Sequence, residues 1–176
     1  RMGAGGFHQH IFTGSGDWIV NNHMPSANMA LIGVVKDGPG TMTWSGTNVG
    51  PQGANWFDNL GSPVRVTGGT LIIKTSDCID TSAGSPGVVH DGTLLKYDVQ
   101  PVAGFVTGPA SVLGTISGAG PIQINAGTVT FGGANTFTGP LNLTGGELIA
   151  GRAENVGVSG PLGQGVANSG GMAIGG

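Results

Sequence analysis

Charge is scarce in this sequence: Asp, Glu, Lys and Arg make up 9% of 176 residues, 6 basic against 9 acidic, for a formal net charge of -3. The six cations, Arg1, Lys36, Arg65, Lys74, Lys96 and Arg152, are scattered singly. No basic patch exists to displace counterions from a phosphate backbone, which argues against a nucleic-acid partner. One cysteine, Cys78, permits no internal disulfide. No apolar run approaches the ~20 residues of a membrane-spanning helix, and the N-terminus lacks the basic-then-apolar order of a signal peptide. Because the chain begins Arg1-Met2, any export signal is expected to precede it. Good helix formers are also rare. The only glutamates are Glu147 and Glu154, and Gly or Pro interrupts almost every window of ten residues.

What is abundant is glycine, 37 residues, with 10 prolines. Such a composition borders on low complexity, yet hydrophobic residues reach 38% and the mean hydropathy is +0.16, so there is apolar surface to bury and disorder is not expected. No Gly-X-Y period is present, which excludes collagen. Between Gly-containing turns lie short β-branched and aliphatic segments: 29–35, 41–44, 64–67, 70–74, 93–97, 111–117, 121–125, 128–131, 141–144 and 147–150. The chain therefore reads as all-β.

Self-similarity says more than single strands. Gly40-Thr-Met-Thr-Trp-Ser-Gly-Thr-Asn48 aligns without a gap on Gly127-Thr-Val-Thr-Phe-Gly-Gly-Ala-Asn135, and Val66-Thr-Gly-Gly-Thr-Leu-Ile72 on Leu143-Thr-Gly-Gly-Glu-Leu-Ile149. The offsets are 87 and 77 residues, and the difference is assigned to an inserted loop at 49–61. A finer marker, Gly followed by Thr and an aliphatic residue, recurs at Gly40, Gly69, Gly92, Gly114 and Gly127, with looser forms at Gly146 and Gly171. Spacing that varies around about 22 residues suits a β-solenoid, whose coils share a core and differ in their loops. That period predicts about eight coils and, at ~4.8 Å per level, a rod on the order of 40 Å long. Gly supplies the positive φ of the corners, and Asn48 and Asn135 are expected to do the same. Scarce charge fits stacking, because like charges in register repel.

The stretch Lys36-Asp-Gly-Pro-Gly-Thr-Met-Thr-Trp-Ser-Gly-Thr-Asn48, and more fully residues Gly127 to Gly151, resemble the autotransporter-associated β-strand repeat, also called the passenger-associated transport repeat. The tail from Gly160 to Gly175 is similar to the coil that commonly follows such a repeat. The likeness covers roughly a third of the chain. It implies a right-handed parallel β-helix, exported across a bacterial envelope and displayed outside the cell. On that reading the chain is one β-solenoid domain over 1–176: an N-terminal segment 1–30, a first repeat 31–75 carrying the loop 49–61, divergent coils 76–110, a second repeat 111–151 and an incomplete third repeat 152–176.

Chemistry-bearing residues are few. Lys74, Asp77, Asp80, His90, Asp91 and Asp98 form the densest polar group, and without a metal-loop or acid/base spacing they read as solvated loop residues. His8, His10 and His23 lack a matching Cys or carboxylate, and Cys78 has no activating partner, so no catalytic residue, metal or cofactor is assigned. Trp18, Trp44, Trp56 and Tyr97 could form a sugar-stacking face, but Trp44 takes the position of Phe131 in the repeat and reads as core. Trp56 and Phe57 in the inserted loop are the candidate contact for a ligand or partner. The expected function is non-enzymatic: an extracellular rod on the bacterial surface, forming a stalk or fibre by head-to-tail stacking with itself through open solenoid ends. The alternative is an adhesin segment that binds surface glycan or host protein through its loops, and a polysaccharide lyase is the remote third reading.

Overall fold

The computed structural model of the protein describes residues 8–20, 32–45, 63–74, 87–100, 110–154, 158–164 and 172–174. Among them there is no helix. The strands are β1 (His8–Phe12), β2 (Trp18–Val20), β3 (Ile32–Lys36), β4 (Thr41–Trp44), β5 (Val64–Val66), β6 (Thr70–Ile73), β7 (Val88–His90), β8 (Leu94–Asp98), β9 (Ala110–Val112), β10 (Ile116–Ser117), β11 (Ile122–Ala126), β12 (Thr128–Phe131), β13 (Leu141–Leu143), β14 (Glu147–Ala150) and β15 (Met172–Ile174). The first sheet runs β1-β3-β5-β7-β10, the second β2-β4-β6-β8-β11-β13-β15 and the third β9-β12-β14, and all strand pairs are parallel. Order within each sheet is sequence order. The chain thus visits the sheets in turn and returns one level further along.

Short bends make the step from first to second sheet, at 13–17, 37–40, 67–69, 91–93 and 118–121. Two different constraints select glycine there. Gly69 has φ +62, and a Cβ on it would also meet the carbonyl oxygens of Gly38 and Gly40. Gly40 needs no positive φ, but the Gly16 carbonyl of the preceding level leaves no room for a Cβ. Asn135 does not share this role. No described residue other than Gly has a positive φ, and Asn135 lies fully buried between levels.

The core is a column of ladders. On the first sheet Val34, Val64, Val88 and Ile116 stack in register, and on the second Met42, Leu71, Leu95, Ile122 and Leu141, all buried. Burying each such side chain is worth about 1.5–3 kcal/mol, so the column carries the fold. Trp44 and Tyr97 occupy a neighbouring second-sheet ladder, and an edge-to-face series joins Tyr97 to Phe131 (5.6 Å between ring centroids) and Phe131 to Phe137 (6.4 Å). The second sheet spans seven levels, about 30 Å along the stacking direction.

Coil length varies. Successive second-sheet partners Trp18, Met42, Leu71, Leu95, Ile122, Leu141 and Met172 lie 24, 29, 24, 27, 19 and 31 residues apart. The sequence alignments do not follow this period. β4 belongs to the second sheet, whereas its aligned mate β12 belongs to the third; likewise the bend from β5 to β6 joins first sheet to second, whereas that from β13 to β14 joins second to third. The segment 111–117, read as one strand, is split into β9 and β10, with Gly114 in the bend between two sheets.

Candidate functional site

Polar side chains are concentrated where one level meets the next. At the bends between the first and second sheets, Asp17 Oδ1 accepts from the Thr41 amide (2.9 Å), Asp37 Oδ1 from the Thr67 hydroxyl (3.2 Å) and Asp91 Oδ1 from the Ala119 amide (2.9 Å). Each carboxylate bonds to the coil after its own. Asp17 and Asp37 were not singled out in the sequence, because nothing in a lone Asp beside Gly distinguishes a brace from an ordinary turn.

Lys36 is buried rather than scattered on the surface, at 1% exposure. Its Nζ donates to the carbonyls of Asp37 (3.0 Å), Gly38 (2.9 Å) and Gly68 (3.2 Å), which matches the three N–H bonds of an ammonium group. Burial pulls its pKa below the ordinary lysine value, opposed by the charges of Asp37 and Asp17. Thus one side chain gathers carbonyls from two successive bends.

On the other side of the second sheet, Lys74 and Asp98 form an ion pair at 2.9 Å. Asn125 Nδ2 donates to Asp98 Oδ1 (2.8 Å), Thr144 Oγ1 to Asn125 Oδ1 (3.3 Å) and Gln123 Nε2 to Thr144 Oγ1 (2.8 Å), so the chain of bonds crosses four levels. The Asn125 bond, together with those from Lys74 and Gln100, holds the Asp98 carboxyl below its ordinary pKa in spite of burial. Asn135 closes a third brace: its Oδ1 accepts from the Ile116 amide (2.7 Å) and its Nδ2 donates to the Pro161 carbonyl (2.8 Å).

These findings correct the reading of the polar group as solvated loop. His90 and Asp98 are buried, and Lys74 and Asp91 are committed to contacts between levels. Asp77, Asp80, Cys78 and His23 lie outside the described residues, as do Asn48, Trp56 and Phe57. Among the described residues no three His, Cys, Asp or Glu side chains converge as a metal site. The aromatic face does not form as a unit, because Trp44 and Tyr97 are interior while Trp18 is 44% exposed. Burial pushes the Tyr97 hydroxyl pKa up and leaves it a neutral phenol.

The surface that stands out is the first level. β1 and β2 are terminal strands of their sheets, each paired on one side only among the described residues. They expose Ile11 (59%), Trp18 and Ile19 (72%), and Trp18 is fixed edge-on against Phe12 at 5.8 Å. Unpaired strand edges with apolar side chains are pairing surfaces. No helix among the described residues is long and apolar enough to cross a membrane. Compared with known proteins, the chain matches no family model, no curated protein and no solved structure.

Proposed function

We propose that the chain is a segment of a right-handed parallel β-helix that serves as a non-enzymatic rod, exported and displayed at a bacterial surface as part of a stalk or fibre. Parallel strands joined by crossovers that return to the same sheet are right-handed in nearly all proteins, which supports the handedness. The resemblance of residues 127–151 to an autotransporter-associated repeat motivates the surface location. The observation that carries the mechanical reading is the use made of polar side chains: Asp17, Lys36, Asp37, Asp91, Asp98 and Asn135 all bind across levels. Such a column resists being pulled apart along its axis.

In this reading the rod lengthens by parallel strand pairing onto β1 and β2, a head-to-tail contact that does not close and so gives filaments. Sedimentation velocity and electron microscopy of the purified chain over a hundredfold concentration range are expected to show rods that lengthen with concentration. The change Ile19→Lys, which places charge on the outward side of β2, is expected to shorten them. A single, concentration-independent monomer would refute assembly.

A further inference from the structure

One position of the core is half-satisfied. Phe12, Lys36, Val66 and His90 occupy successive rungs of one first-sheet ladder. Lys36 finds three carbonyls. His90, at 1% exposure, finds one acceptor: its Nε2 lies 2.9 Å from the Pro121 carbonyl, whereas its Nδ1 is buried without a hydrogen-bond partner. A carbonyl only accepts, so Nε2 carries the proton and the neutral ring leaves Nδ1 a bare lone pair. Gly120 lies so close that a Cβ there would run into the imidazole ring, so the ring cannot swing toward that bend.

The surroundings offer little to a cation. Val66 stands on the rung before it, and the bend 118–121 above presents backbone. The charged group acting on it is Asp91, whose Oδ1 already accepts from the Ala119 amide. On the first sheet the level boundary at this point is short, since β7 and β10 pair through two residues, Val88 with Ile116 and Val89 with Ser117; on the second, β8 pairs with β11 at four positions, with a register shift between Ile124 and Ala126.

We propose that His90 is an acid-sensitive release point: a proton taken up at Nδ1 loosens the boundary between β7–β8 and β10–β11, and the stack opens there first. The added N–H has no acceptor, and the ring becomes a buried cation at the boundary between levels. Burial already holds the His90 pKa below its ordinary value, against the Pro121 bond and Asp91. The sign follows. The open state protonates near the ordinary histidine value of about 6.5 and the closed state only at lower pH, so the open state binds more protons as pH falls through that window. The closed boundary is favoured above it and loses ground below it.

The inference rests on the stacked levels and not on end-to-end assembly, so monomeric behaviour leaves it standing. Its test is amide hydrogen exchange on the whole chain, corrected for intrinsic pH dependence. The Leu95 and Gly120 amides, which donate to the Pro121 and His90 carbonyls, are expected to exchange about fivefold faster at about pH 5.5 than at about pH 6.5, as one proton linked to an open-state value of about 6.5 dictates. The Lys74 amide, which donates to the Trp44 carbonyl two levels away from the boundary, is expected to change much less. In His90→Val, which repeats the residue of the neighbouring rung, the acid response should vanish. Equal responses at Leu95, Gly120 and Lys74, or persistence in His90→Val, would overturn the proposal. If that variant does not fold, ring ¹⁵N shifts of the unmodified protein decide: His90 must stay neutral, Nε2-protonated, well below pH 6.5, and titration at or above that value refutes it.

Discussion

Asn135→Ala tests whether a single amide stitches the stack. Asn135 has 0% exposure, and its two side-chain bonds hold the Ile116 amide of the preceding level and the Pro161 carbonyl beyond it, both buried. Alanine keeps the Cβ and removes only the amide, so little apolar burial is lost and the orphaned partners decide the outcome. Each buried group left unpaired costs about 1–3 kcal/mol, giving about 2–6 kcal/mol together. Against the 5–15 kcal/mol of an ordinary domain, that is a large share. The assay is urea unfolding followed by far-UV circular dichroism, comparing midpoints at constant m-value, with exchange of the Ile116 amide as the local readout. Asn135→Asp should lose at least as much at neutral pH, because a carboxylate keeps the Ile116 bond but sets lone pair against lone pair at Pro161 and buries a charge. A loss below about 1 kcal/mol in both variants would refute the reasoning, since Ile116 and Pro161 would then be satisfied by other means.

Two further outcomes follow from the bends and the outer brace. Gly69→Ala forces a Cβ into positive φ and against the Gly38 and Gly40 carbonyls, so a loss above about 1 kcal/mol in thermal unfolding is expected; Gly16→Ala, with nothing within 4 Å of the added carbon, should stay within about 0.5 kcal/mol, and equal effects would contradict the close-approach argument. Asp98 has a depressed pKa, so its contribution is complete above the ordinary carboxylate value of about 4 and is lost as pH falls through the depressed one. Asp98→Asn should therefore flatten the stability profile in that acid range, and an unchanged slope there counts against the brace.

Much of the fold was legible because glycine and β-branched residues act locally. The segments at 41–44, 128–131 and 147–150 match β4, β12 and β14 at both ends, since each starts directly after a bend. β2, β7 and β15 fall outside the expected segments, because Trp18-Ile-Val20, Val88-Val-His90 and Met172-Ala-Ile174 are each only three residues long. Burial of Lys36 and His90 was invisible because the groups that satisfy them are backbone carbonyls, for each including one from a coil some 30 residues away, and carbonyls leave no mark in a sequence. The polar group around Asp98 was seen as a cluster, but its bonds run to Asn125, which lies 27 residues on.

The aligned segments that sit on different sheets have a geometric consequence. Between β9 and β14 the described chain passes round three sides, and β9, β12 and β14 recur every 19 residues. The element shared by the two aligned stretches is one bend and one strand, which occupies a single sheet at a single level. Adding or deleting one such module would move each later strand from its own sheet to the next. Loops that followed would then project in a new compass direction. Length and loop orientation are therefore set by the same count of modules, and three modules are the smallest change that alters one without the other.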